Sequence, residues 1–342
     1  MSEYNINQQF TLLERAKLSV DGKRVMPALD VMDKMGVSEF LKDVPFFPCN
    51  QGLKHRIVRT TDRPTSTRRL FYKGVAKTTS ATQTIFEPVV LFEQRSEVDE
   101  AEVDTIENGD ELRRIKDMPH AAGMLDDFVY DIFNSVRTSG MEYIDGLKAR
   151  LGTLSNPYES TTSLPYVWDN GGTSTGNLCS LYIVEFGPQA VHGLYPSGNV
   201  RGGGTLGMSI INKGKEPIAD SDDSTAKYYA YVTQFKFWFG IAVWNDWKIA
   251  RIANINYDPA GSGALDDNMI IKALNHGKFD KARTRIYGNP YLSTQIDIRA
   301  KDKSNVQWDV MEVFGRPVSA IQGIPFRKLD ETILPRTETL VS

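Results

Sequence analysis

The chain has 342 residues, 41% of them hydrophobic and 24% charged, with a formal net charge of −3. That length suits one large domain or two of ordinary size, and the composition excludes wholesale disorder. The balance argues against a dedicated nucleic-acid binder, and two isolated cysteines, Cys49 and Cys179, make neither a disulfide framework nor a Cys-based metal site.

Residues 1–20 are polar and lack an apolar signal core, and no run approaches 18 apolar residues. Weak helical spacing runs through Phe10, Leu13 and Leu18. A clearer helix is predicted from Val25 to Met35, with Pro27 in its first turn and Gly36 as its C-cap. Ser38 is expected to cap a short turn before Pro45. Residues 1–48 thus read as an N-terminal arm with helical pieces.

Residues 55–59 and 69–73 read as strands joined by a turn around Asp62–Thr67, and 82–94 as another strand with Pro88 at an edge or bulge. Together they predict a long two-stranded hairpin. The strongest helix is 111–136, where Leu112, Ile115, Met118, Ala122, Leu125, Val129, Ile132 and Val136 recur every three or four residues. Unbroken, it would be roughly 39 Å long, with Pro119 as a candidate kink. A second helix is expected at 141–151. Residues 153–177, rich in Ser, Thr, Gly, Asn and Pro, suit a domain boundary. Strands are expected at 178–186, 228–243, 248–255, Gln295–Ala300 and Ile324–Leu329, and a helix at 265–276. Residues 198–226 read mostly as loop. The sequence predicts an α+β fold.

Charge is split along the hairpin region. Lys54, Arg56, Arg59, Arg63, Arg68, Arg69, Lys73 and Lys77 face Asp62 alone between 50 and 80. From 87 to 111 the sign reverses: Glu87, Glu93, Glu97, Asp99, Glu100, Glu102, Asp104, Glu107, Asp110 and Glu111 against Arg95. A segment with so few large apolar side chains needs a partner to order it. A basic stretch beside an acidic one suits docking between identical chains. The inter-subunit docking residues read from this pattern are Arg56, Arg59, Arg63, Arg68, Arg69, Lys73, Glu93, Glu97, Glu100 and Glu102.

Motifs for chemistry are weak. Gly202, Gly204 and Gly207 match G-x-G-x-x-G, but Pro196 and Gly198 break the lead-in and no helix follows, so a loop is the better reading than a dinucleotide site. Asp126, Asp127 and Asp131 fall mostly opposite the apolar stripe and read as a solvated helix face. His55, His120, His192 and His276 have no metal-ligand spacing, and no G-x-S-x-G elbow is present. The aromatic residues of 228–247 read as core rather than a stacking surface for bases. We expect no enzyme activity, no cofactor and no metal.

The order of the parts resembles the major capsid proteins of tailed bacteriophages, which have the Hong Kong 97-like fold, and in particular the branch found in short-tailed phages. The resemblance is carried by Leu181–Gly198 (LYIVEFGPQAVHGLYPSG), Phe239–Asn254 (FGIAVWNDWKIARIAN) and Gly323–Ile333 (GIPFRKLDETI). It implies an N-terminal arm at 1–48, an extended E-loop hairpin at 49–100, a peripheral domain with its spine helix at 101–160, an axial domain at 161–330 and a tail at 331–342. It implies a structural protein that assembles as pentamers and hexamers into an icosahedral head around double-stranded DNA. Its partners would be copies of itself, a decoration or scaffolding protein and a portal, with non-specific DNA contact and no membrane. Its place would be the virion, after folding in the host cytoplasm. The start at Met1 leads us to expect no long scaffolding domain ahead of the arm. The readings left open are a non-viral encapsulin-like cage, an α/β enzyme with a site around 187–223, and a nucleic-acid-binding module using the hairpin.

Overall fold

A computed structural model describes residues 36–105, 107–137, 143–155, 165–197, 207–220, 225–301, 308–313 and 316–342. The chain opens with helix α1 (Val37–Asp43), followed by strands β1 (Phe46–Pro48), β2 (Lys54–Thr60), β3 (Thr82–Pro88) and β4 (Val90–Asp99). Helices α2 (Glu100–Asp104), α3 (Gly109–Asn134) and α4 (Leu147–Arg150) come next. Then follow β5 (Tyr166–Asp169), β6 (Leu178–Glu185), β7 (Val191–Tyr195), β8 (Met208–Ala219), β9 (Lys227–Val243) and β10 (Ile249–Asn256). The last elements are α5 (Asp267–His276), β11 (Thr284–Gly288), α6 (Pro290–Lys301), β12 (Trp308–Val313), β13 (Arg316–Ile321) and β14 (Ile324–Lys328). No helix among the described residues is long and apolar enough to cross a membrane.

Two compact units divide the chain. The first holds the described residues of Phe92–Asp127 and Val200–Phe237. Within it β8 and β9 form an antiparallel hairpin from Met208↔Phe237 to Ala219↔Lys227. The register skips Lys213 between Asn212↔Thr233 and Gly214↔Val232. Gly214 has φ +80°, the conformation a bulge asks of glycine, and its N–H donates to Asn212 Oδ1 at 2.9 Å. At this bulge the buried face of β9 changes parity, from Ala230 and Val232 to Thr233, Phe235 and Phe237. Tyr229, expected on the buried face, is therefore exposed.

The second unit holds Lys34–Leu91, Phe128–Asn199 and Trp238–Ser342. Its main sheet has the order β12-β13-β14-β11-β6-β10-β5. β6 is buried along its whole length, because the sheet is covered on both faces. Cys179, Leu181 and Ile183 point to one side, where they pack with Ile270, Ala273 and Leu274 of α5 and Leu292 and Ile296 of α6. On the other side Tyr182 and Tyr287 meet Phe133, and Tyr287 meets Phe40 at 5.2 Å between ring centroids. A separate pair, β2 and β3, forms the projecting hairpin, in register from Lys54↔Pro88 to Thr60↔Thr82.

Several expectations are corrected. The hairpin partner of β2 is 82–88, and residues 69–73 form no strand. Residues 208–219, read as loop, are strand β8, whose alternating Lys, Glu and Asn mask a half-exposed strand. Gln295–Ala300 lies in helix α6. Its I-x-I alternation imitates a strand, but Asn289 caps the helix by accepting the Leu292 N–H at 2.9 Å, and Pro290 suits the first turn. Gly36 is the left-handed residue ahead of α1, at φ +87°, so the cap expected of Ser38 is not made. The second helix shortens to Leu147–Arg150, with 138–142 outside the described residues. The helix over Val25–Met35 and the weak spacing at 10–20 also lie outside them, as do Gly202 and Gly204.

Helix α3 runs through Pro119 without ending. Its apolar stripe is only partly buried. Leu112, Met124, Phe128, Val129, Ile132 and Phe133 are covered, whereas Met118 is exposed; Val136, expected on the stripe, lies past the helix end and is also exposed. The aspartates expected on a solvated face divide: Asp127 is exposed, and Asp126 and Asp131 are half-buried.

Candidate assembly surfaces

The acidic residues singled out from the sequence all lie in the first unit, on β4 and α2. Each already has a cation or donor of its own chain. Glu93 lies 3.5 Å from Lys236 and accepts from the Gln234 amide. Glu97 holds Arg95 at 2.7 Å, and Arg95 also reaches Glu216 at 3.5 Å. Glu100 pairs with Lys215, and that hydrogen bond holds the Lys215 ammonium above its usual range. Glu102 is 2.5 Å from Lys116. Lys215 and Arg113 both lie over the Tyr231 ring, 5.2 and 4.4 Å from its centroid. Burial, then the carboxylates of Glu97, Asp99 and Asp220, push the Tyr228 hydroxyl up. Apart from Arg95 of β4, the cations come from β8, β9 and α3, so the sequence order of the acids alone hid those partners.

The basic residues lie in the second unit and divide into two groups. Arg59 is consumed at the hairpin base, with Nη1 2.7 Å from Asp246 and Nη2 donating to the Val243 carbonyl. Arg56 is exposed on β2, and its backbone N–H and C=O bond the Asn50 side chain at 2.7 and 2.8 Å. Arg63, Arg68, Arg69 and Lys73 lie in the connection at 61–81, where every residue is exposed. Among the described residues these four make no ion pair. The connection carries Arg63, Arg68, Arg69, Lys73 and Lys77 against Asp62.

What the sequence did not disclose is how firmly the hairpin base is fixed. Ile57 is fully buried and packs with Cys49, Val89, Leu194 and Ala242. Glu87 is buried and takes a two-pronged bond from Arg150, at 2.8 and 2.7 Å. Opposite Glu87 stands His55, which faces His192 with 5.6 Å between ring centroids. Burial lowers the His55 imidazole against the opposing pull of Glu87, and burial beside His55 lowers His192 to about 4. Burial also pushes the Cys49 thiol up to about 12, which leaves it inert at neutral pH. The hairpin thus has a locked root and an unsupported, cationic end.

Comparison with known proteins agrees with this architecture. The family model for major capsid protein GP7 matches residues 24–342. No curated protein matches the chain. Among solved structures, a chain from bacteriophage Epsilon15 superposes with a TM-score of 0.69 at 19% identity, covering 96% of this chain and 97% of that one. A bacteriophage JBD30 capsid chain gives 0.46 at 13% identity, over 89% and 93% of the two chains. The SrpI encapsulin of Synechococcus elongatus gives 0.44 at 14% identity, over 72% and 96%, and adds no argument for a cage. The fold is the Hong Kong 97-like capsid fold, and the role is structural, as a component of a multi-subunit virion shell. The chain belongs to the major capsid protein GP7 family.

Proposed function

We propose that this protein builds the icosahedral head of a tailed phage as pentamers and hexamers around double-stranded DNA, after folding in the host cytoplasm. Residues 1–48 serve as the arm, 49–100 carry the E-loop with β2 and β3 as its hairpin, and α3 is the spine of the peripheral part at 101–160. Residues 161–330 form the axial part, followed by the tail at 331–342. Contact with packaged DNA is non-specific, and a portal and a decoration or scaffolding protein complete the particle.

The observation that carries this reading is the hairpin. Its root is fixed by buried groups, while its end has every residue exposed and five cations against one anion. A lone chain gains nothing from holding such an arm out. An arm that reaches over a neighbouring subunit does gain, because its charge sets which surface it meets and in what register. Single exposed ion pairs contribute little, but the same contact repeated around a shell adds up. Glu93, Glu97, Glu100 and Glu102 are partly covered and paired in their own chain, so the acceptor is the more exposed acidic run at Asp104 and Asp110, of which Asp110 holds Arg113 only at 3.7 Å across its exposed side chain.

Reversing Arg68→Glu and Arg69→Glu together is expected to leave a soluble, folded subunit and to abolish particles. Negative-stain electron microscopy with light scattering reads this directly. Normal particles from the double variant would remove the hairpin from the docking model. A monodisperse native monomer at high concentration, even with a scaffold added, would overturn the shell reading itself.

A further inference from the structure

The hairpin end is not merely charged. Leu70, Phe71 and Tyr72 are consecutive, and 76%, 89% and 104% exposed. Lys73 N–H donates to the Leu70 carbonyl at 3.3 Å, closing a tight turn over them. Tyr72 takes φ +63°, an unusual conformation for a bulky residue. The turn therefore presents two aromatic rings outward, between Arg68–Arg69 on one side and Lys73 on the other. Rings held in water in this way mark a contact surface.

The first unit carries a cavity that suits them. It has a volume of about 320 Å³ and lies between α3 and the β8–β9 hairpin, lined among others by Asp110, Arg113, Asp117, Met118, Ile210 and Phe235. Met118 and Ile210 are 61% and 59% exposed, so the apolar wall is open among the described residues. Methionine adapts to an incoming ring better than a branched side chain does. One carboxylate oxygen of Asp117, Oδ2, accepts from the Thr233 hydroxyl at 2.9 Å. The other, Oδ1, is buried and has no partner. Asp110 is fully exposed at the rim, and Asp104, also exposed, lies just before the helix.

We infer that Phe71 and Tyr72 of one subunit seat in this cavity of a neighbouring copy, against the wall made by Met118, Ile210 and Phe235. This rests on the hairpin-docking reading and gives it an anchor. The match has two independent parts. Exposed aromatic side chains meet an uncovered apolar wall. Arg68, Arg69 and Lys73 meet exposed Asp110 at the rim and exposed Asp104 just before the helix, while the Arg113 and Arg114 that also line the cavity hold Asp110 and Glu111 of their own chain. Donor and acceptor surfaces are different patches of the same chain, so the contact runs head to tail, the type that closes into rings.

The test is photocrosslinking within assembled particles. Phe71 is replaced by p-benzoylphenylalanine in a minority of chains, co-assembled with native chains, irradiated and digested for mass spectrometry. Adducts between subunits at Met118 or within 208–212 are expected. Adducts between subunits at other places would overturn the cavity and leave hairpin docking intact. Adducts confined within one chain would overturn both. A second variant keeps the inference falsifiable without the probe. Met118→Lys, which sets a cation against the cationic tip, is expected to cut particle yield about tenfold or more, whereas Met118→Leu assembles normally. Normal yield from Met118→Lys would overturn the cavity assignment.

Discussion

Replacing Arg251 by alanine is expected to destabilise the unassembled subunit by about 3–5 kcal/mol. Arg251 sits in the middle of β10 with its side chain 1% exposed. It points away from the α5–α6 layer, because its neighbours Ala250 and Ile252 point toward it. Its guanidinium donates to Glu338 Oε2 at 2.9 Å, to the Ser180 hydroxyl at 2.9 Å and to the Leu151 carbonyl at 2.9 Å. It also lies 5.5 Å from the Tyr182 ring centroid. Ser180 donates in turn to Glu338. Truncation would leave the Glu338 carboxylate buried without the cation it pairs with, and would orphan a carbonyl. That is the costly way to break a buried pair.

The consequence is local as well as global. Glu338 ties the C-terminal segment to the sheet, its N–H donating to the Leu178 carbonyl at 2.8 Å. The Arg251→Ala chain should therefore lose protection of 331–342 before it unfolds. Urea unfolding gives the energy, and limited proteolysis gives the order of events. Arg251→Met combined with Glu338→Leu should recover much of the loss, since paired apolar replacement removes both charges together. A single variant within about 1 kcal/mol of the native chain would mean that Glu338 finds water or another donor.

The parts of the fold that were legible are those whose burial comes from the chain itself. β6 and β10 read correctly because their apolar content reflects a sheet covered on both faces, and β9 in its extent because its second half is buried. Helix α3 read correctly because its period is long and its terminal half packs inside. The parts that were misread owe their composition to something else. Arg-Leu-Phe-Tyr-Lys at 69–73 has strand-like residues but no strand, and in the proposed assembly those residues serve another chain's surface. The exposure of Met118 has the same cause, as an apolar position reserved for a neighbour looks like core in a sequence. β8 was hidden for the opposite reason. Its exposed positions mix Ile210, Asn212, Lys213, Lys215 and Pro217, and its bulge at Gly214 breaks the alternation on which a strand reading relies.

For the charged residues, sign and position were legible but pairing was not. The acidic run was visible, yet its partners Lys116, Lys215 and Lys236 are distant in sequence and arrive through β8, β9 and α3. Arg59 looked like its neighbours Arg63 and Arg68, and only the fold separates a root residue from a tip residue.

Acid should loosen the hairpin root before it touches the rest of the second unit, and His192 should be the main cause. The ring is almost fully buried, 5.1 Å from Phe47 and 5.6 Å from His55 between centroids. Its Nδ1 lies 3.3 Å from the Gly187 carbonyl, which suits a neutral imidazole with Nδ1–H donating. Neither His55 nitrogen has a partner. The charged groups around the pair are Glu87 with its Arg150, and Asp246 with Arg59. Only Glu87 favours a charged His55, and Arg150 already occupies it. Burial lowers His192 from 6.5 to about 4 in the folded chain, so the unfolded chain binds the proton first. The stabilisation is complete above about pH 6.5 and is lost as pH falls toward 4. The expected loss from His192 is about 2 kcal/mol at pH 5 and about 3 kcal/mol at pH 4. Other carboxylates titrate in the same range, so the decisive quantity is the difference between the native chain and His192→Gln, which cannot take up the proton. Unfolding of both in urea at pH 7, 5 and 4 should show the native chain losing that much more. Parallel losses would mean that the root opens to water at little cost, and that the two histidines are not held as a dry pair.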